Sequence, residues 1–221
     1  MIKWLVISMC LLVGIVSLNA QPNNSQGTSD PKATAVLDKV SAKYKGYTAF
    51  KGKYSLRIES AEGDMDEEQT GTFYIRGKSY KLENADQEII CNNETIWFYL
   101  KEVNEVQVNI YEPDESTLTP DQIFTIYDKK FLSVHSGTVT KGSTKLHLIE
   151  LTPLDKSKPY FKIKLFVNVA TNEIVICKIY DKNGNRYIYS MKELKANPTL
   201  PPNFFTFNVK EHPGVEVVDL R

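Results

Sequence analysis

The stretch from Gly71 to Ile110, GTFYIRGKSYKLENADQEIICNNETIWFYLKEVNEVQVNI, decides the fold class. It holds five short runs rich in aromatic and β-branched residues: Gly71 to Arg76, Ser79 to Leu82, Gln87 to Cys91, Thr95 to Leu100 and Glu105 to Ile110. The breaks between them carry Gly77, Asn84, Asn92-Asn93 and Asn104, residue types that accept the backbone of tight turns. No helical spacing intervenes, so the stretch predicts a meander of antiparallel hairpins.

The same pattern continues outward. Upstream, Tyr54, Leu56 and Ile58 alternate with Lys53, Ser55, Arg57 and Glu59, which predicts a half-buried strand. Ala61 to Gln69 reads as an acidic, solvated hairpin loop without the ligand spacing of a calcium loop. Further upstream, Asp30 and Pro31 open a helix that carries Val36, Leu37, Val40 and Tyr44 at helical spacing and ends at Gly46. Downstream, Thr119 to Phe131 predicts a second short helix, capped by Thr119 with Gln122 three residues on and striped by Ile123, Phe124, Tyr127 and Phe131. Strands are then expected at Val134–Thr140, Lys145–Leu151, Tyr160–Val167, Ile174–Tyr180, Arg186–Glu193, Phe204–Val209 and Val215–Asp219, with a hairpin turn at Asp181 to Asn185. Eleven or twelve antiparallel strands form a sheet large enough that it must curl or close. The fold class is therefore mainly β. A curled sheet has a concave apolar face, and the two helices are available to cover it.

The first twenty residues read as a signal peptide. Lys3 precedes an apolar run from Trp4 to Leu18, and Asn19-Ala20 offers a cleavage point. Cys10 sits in the middle of that run, where an acylated Cys would stand at its end. Residues 21–30 read as a flexible leader, and 31–221 as one domain. The whole chain has 27 basic and 27 acidic residues, a formal charge of +0 that offers no overall field for nucleic acid. Cys91 and Cys177 remain after cleavage; the secretory route permits a disulfide, and buried thiols fit the same apolar stretches.

Catalytic chemistry is absent from the pattern. His135, His147 and His212 stand apart with no ligand partner at metal spacing, and no nucleophile elbow, phosphate loop or dinucleotide motif occurs. No enzyme activity, catalytic residue, metal or cofactor is expected. The aromatic side chains, 11% of the residues, either line a cavity for acyl chains or fill a core; periodicity favours neither.

Several stretches resemble the outer-membrane lipoprotein carrier family, LolA. They are Val36 to Ser41 with Tyr47 to Phe50; Gly71 to Arg76; Asn92 to Tyr99; Tyr160 to Leu165 with the Ile174 strand and the Asn183-Gly184 turn; and Phe205 to Phe207 with Pro213 to Val217. The resemblance implies an unclosed, strongly curved β half-barrel with helices forming a lid. It implies a periplasmic chaperone, expected to act as a monomer, that binds the acyl chains of lipoproteins and carries them from the inner to the outer membrane. Its partners would be acylated lipoproteins, an inner-membrane lipoprotein-releasing ABC transporter and an outer-membrane receptor. The cavity would be lined by Phe73, Tyr80, Leu82, Trp97 and Tyr99, and the lid would contribute Ile123, Phe124 and Tyr127, unless these three only pin the helix to the core. The family's latching Arg is followed by Pro, whereas Arg76 precedes Gly77-Lys78, so Arg76 and Lys78 are both latch candidates. Two other readings stand beside this one: a lipid- or lipoprotein-sensing or glycolipid-pathway module on the same fold, and a hydrolase of lipid esters.

Overall fold

The computed structural model of the chain describes residues 27–60, 66–112, 118–125 and 130–221. The expected signal peptide, most of the leader, the tip of the acidic turn and Tyr127 lie outside the described residues.

Helix α1 (Pro31–Lys45) starts where expected. Asp30 caps it, its carboxylate accepting from the Lys32 amide at 2.8 Å, and Pro31 occupies the first turn. One face buries Ala33, Val36, Leu37, Val40 and Tyr44. Val36, Leu37 and Val40, so buried, each contribute about 1.5–3 kcal/mol.

Twelve strands form a single sheet: β1 (Phe50–Glu59), β2 (Asp66–Arg76), β3 (Ser79–Asn84), β4 (Gln87–Cys91), β5 (Thr95–Leu100), β6 (Glu105–Ile110), β7 (Phe131–Lys141), β8 (Thr144–Pro153), β9 (Tyr160–Asn168), β10 (Ile174–Asp181), β11 (Arg186–Ala196) and β12 (Glu216–Asp219). Strand β1 pairs with both β2 and β11. One meander therefore runs from β1 out to β6, and the other runs from β11 back to β7. The ends, β12 and β7, are not joined, so the sheet stays an open half-barrel. A single inner cluster of side chains reaches from Phe131 on β7 to Cys91 on β4, with α1 inside it. Flat strands at about 4.8 Å spacing would lie too far apart to share one cluster around a helix about 10 Å wide, so the sheet curls around α1.

Three expectations need correction. Strand β12 pairs in parallel with β6, Glu216 opposite Glu105 through Asp219 opposite Val108, so the sheet is not wholly antiparallel. Phe204–Val209 is not a strand. It forms turns leading into a single 3-10 turn (Val209–Glu211), because β12 already occupies the β6 edge and Pro201-Pro202 lack amide donors. Among the described residues the second helix, α2, is one turn, Pro120–Ile123, and Phe131, expected at its end, already begins β7.

Candidate functional site

Alternation along the strands sorts side chains onto two faces. On the inner face, Tyr80 lies opposite Cys91, Leu82 opposite Ile89, Ile89 opposite Phe98 and Cys91 opposite Ile96. These residues continue the apolar surface that α1 covers farther along the sheet. Beyond α1 the face opens into a cavity of about 560 Å³, lined by Tyr80, Leu82, Ile89, Ile96, Phe98, Tyr111 and the exposed Leu220, with the polar Asn109 and Glu112 also on its wall and Thr119 and Pro120 at its rim. That volume is in the usual range for a small-molecule site, about 300–1,000 Å³. A second chamber of about 170 Å³ adjoins it, sharing Leu82 and Pro120 and lined by Tyr54, Phe73, Ile123, Phe124, Tyr189 and Met191.

Helix α2 borders both chambers, Pro120 lining each of them. Ile123 and Phe124 are buried beneath it. The Phe124 ring sits 4.8 Å from Tyr44, 5.0 Å from Phe50 and 5.5 Å from Phe73, centre to centre. Such pairs add about 0.5–1.5 kcal/mol each beyond area burial. Gly52 makes room for them: a Cβ there would stand 2.8 Å from the Phe73 ring. The start of α2 is held by Gln122, whose side-chain oxygen accepts from the Thr119 amide at 3.3 Å.

The lid also carries a charge problem. Oδ1 of Asp121 is buried without a hydrogen-bond partner among the described residues. Burial holds the Asp121 carboxyl above the usual carboxylate range, against smaller downward pulls from Thr119, the local backbone amides and, last, the Lys78 ammonium. Burial likewise raises the Tyr80 hydroxyl and pushes Tyr189 up to about 12.

Of the expected site residues, Phe73, Tyr80, Leu82, Ile123 and Phe124 are brought together on the inner side. Trp97 and Tyr99 are not. Their side chains point to the opposite face, because Ile96 and Phe98 take the inward positions of β5. There they belong to an outer cluster with Ile90, Val106, Phe205 and Phe207, under the C-terminal segment. Arg76 is also on that side. Its Nη2 donates to the Leu200 carbonyl at 3.3 Å, and its guanidinium lies 5.3 Å from the Phe205 ring, so it fastens the C-terminal segment and not the lid. Lys78, on the exposed turn, is the latch candidate within electrostatic reach of α2. Ile89, Ile96, Phe98 and Tyr111 went unassigned in the sequence; carrying the alternation of Tyr80 and Leu82 through the hairpin register finds the first three. Cys91 and Cys177 are buried free thiols, and burial pushes Cys177 up to about 12.

The arrangement defines a class: an open β half-barrel whose apolar inner face is partly covered by helices and partly left as a cavity. Residues 45–208 match the family described as outer membrane lipoprotein carrier protein LolA, and the chain belongs to that family. It is similar to an outer-membrane lipoprotein carrier protein of Legionella pneumophila (strain Lens), 25% identical over 73% of this chain and 75% of that one. It is also similar to an uncharacterized protein of Methanocaldococcus jannaschii, 22% identical over 75% of this chain and 48% of that one. A solved structure of an uncharacterized conserved protein from Thermus thermophilus shares the fold, with a TM-score of 0.56 at 13% identity, covering 85% of this chain and 99% of that one.

Proposed function

We propose that the protein is a periplasmic carrier that takes acylated lipoproteins at the inner membrane and delivers them to the outer membrane. The observation that carries this reading is the 560 Å³, mainly apolar cavity beside a one-turn lid seated on an aromatic cluster. Acyl chains fit that chemistry, since each buried CH₂ contributes about 0.8 kcal/mol without any directional contact. The smaller chamber under Phe124 would become continuous with the cavity when α2 lifts, so cargo would select the open state. Lys78 would steady the closed lid through Asp121. Family membership supports the lipoprotein as cargo. On this reading residues 1–20 direct export, an ABC transporter of the inner membrane supplies cargo, and an outer-membrane receptor accepts it.

The test is release. Spheroplasts bearing a labelled triacylated lipoprotein and the cognate transporter are incubated with the purified protein. Labelled lipoprotein is expected in the supernatant as a complex with it. If none is released beyond a no-protein control, the carrier reading fails.

A further inference from the structure

The outer face of β9, β10, β11 and β1 is covered by no other element among the described residues, and it gathers positive charge. Three lysine pairs stand directly opposite one another across the strands: Lys51 with Lys195, Lys53 with Lys192, and Lys178 with Lys164. Like charges in this position destabilise a sheet. Lys162 and Arg186 flank Tyr180 in the next row, and Arg57 lies opposite Ile188. The neighbouring carboxylates are outnumbered. Glu150 serves both Lys162 (3.4 Å) and Lys164 (3.1 Å), Glu59 serves both Arg57 (3.7 Å) and Arg186 (3.6 Å), Glu193 pairs with Lys53 (2.8 Å), and Glu68 stands opposite Arg57, which leaves Lys51, Lys178, Lys192 and Lys195 in excess. The full chain is formally neutral, so this excess reflects segregation of charge and not overall basicity.

Rings are set among the cations. Lys178 lies over Phe166 at 5.9 Å, while Lys164 and Arg186 lie over Tyr180 at 5.9 and 6.0 Å. Phe161, 48% exposed, sits 6.2 Å from Tyr180. Flexible ammonium groups spread over four strands, interleaved with partly exposed aromatic rings, match the chemistry of a bilayer interface carrying anionic headgroups. The two chambers described above lie on the inner face, and a third cavity of about 760 Å³ lies between the outer side of β3 and β4 and the C-terminal segment, lined by Lys81, Glu88, Phe204, Phe207 and His212; all three stand away from this face, whose breadth suits a bilayer surface.

We propose that this outer face docks the protein on membrane surfaces rich in anionic phospholipid. The proposal stands apart from the inner cavity and does not depend on what that cavity holds.

Co-sedimentation with vesicles of phosphatidylcholine alone, or with about one-third phosphatidylglycerol, tests it. Partitioning onto the anionic vesicles is expected to be at least about tenfold stronger, and to vanish at about 0.5 M salt, where screening is nearly complete. The double variant Lys178→Glu/Lys195→Glu should lose at least about tenfold of that binding. Each of its changes turns a like-charge pair into an opposite-charge pair, so the fold is protected. A control of equal net charge, Lys32→Glu/Lys39→Glu on exposed positions of α1, should keep most of the binding. No preference for anionic vesicles, or equal loss in both variants, overturns the proposal. Binding to polyglutamate but not to vesicles would also overturn it, by assigning the face to an acidic polypeptide.

Discussion

The ring of Phe124 on the lid stacks on the ring of Phe73 on β2, with centres 5.5 Å apart and planes inclined by 29°. This pair joins the helix that covers the inner face to the strand that forms it. Any opening of the lid must break it, together with the contacts of Phe124 to Tyr44 and Phe50.

Phe124→Ala should therefore act on both stability and access. Removing a buried Phe costs about 3 kcal/mol when the site cannot collapse, and the adjoining chamber already limits collapse here. Urea unfolding should show a loss of that order, and a fluorescent fatty acid should enter faster. A loss below about 1 kcal/mol with unchanged entry would show that Phe124 does not seal the chamber.

The two faces of β5 should respond differently. Phe98→Glu places a charge in the cavity and should abolish acyl-probe binding, leaving far-UV circular dichroism unchanged. Trp97→Ala lies on the other face and should leave probe binding within about twofold, while amide exchange quickens in the 200–215 segment that Trp97 supports. Equal effects of the two on binding would refute the assignment of faces.

Asp121 should make the lid sensitive to pH. Its carboxyl is raised above its ordinary value, mainly by burial, so the closed state favours the protonated form. Closure is then fully supported below about pH 3.8 and loses support as pH rises through the raised value. Asp121→Asn should raise thermal stability at pH 7 by on the order of a degree or two and make no difference near pH 3.5. Lys78→Ala should lower stability in wild type but not in the Asn variant, which a double-mutant cycle reads directly.

His147 gives a second pH effect of opposite sense. Nε2 of His135 lies 3.1 Å from Nδ1 of His147, a contact that accepts one shared proton but not two full charges. Burial first, and the His135 charge second, lower the His147 value below 6.5. Stability should be level above about pH 6.5 and decline as pH falls below it, because the unfolded chain then binds the extra proton. His147→Gln should flatten that decline in thermal melts between about pH 7.5 and 5.5. An unchanged slope would remove His147 as its source.

Much of the sheet was legible because strand alternation and turn chemistry are local. Asn93 and Asn104, read as breaks, do adopt positive φ, at 72° and 49°. What failed required knowledge of partners. Alternation looks the same in a parallel and an antiparallel strand, so the parallel β12 was not readable from Val215 to Asp219. The spaced aromatics Phe205 and Phe207 resembled a strand, but they dock on Tyr99 from an irregular segment. Trp97, Tyr99 and Arg76 were misplaced for another reason. Phe73 and Ile75 face inward, so Arg76 must face outward, and the same parity carried through the hairpins sends Trp97 and Tyr99 outward too. That parity is readable from the sequence, whereas the family resemblance by itself places Trp97 and Tyr99 in the cavity.

The central claim is that lipoprotein acyl chains lie against the inner face of β3 to β5. Site-specific photocrosslinking tests it most directly. Benzoylphenylalanine replaces, one at a time, Leu82, Phe98, Trp97 and Tyr99, and each protein is irradiated with a triacylated lipoprotein radiolabelled in its acyl chains. Adducts are predicted from positions 82 and 98 and not from 97 or 99. Adducts from 97 or 99, or none from 82 and 98, would contradict it.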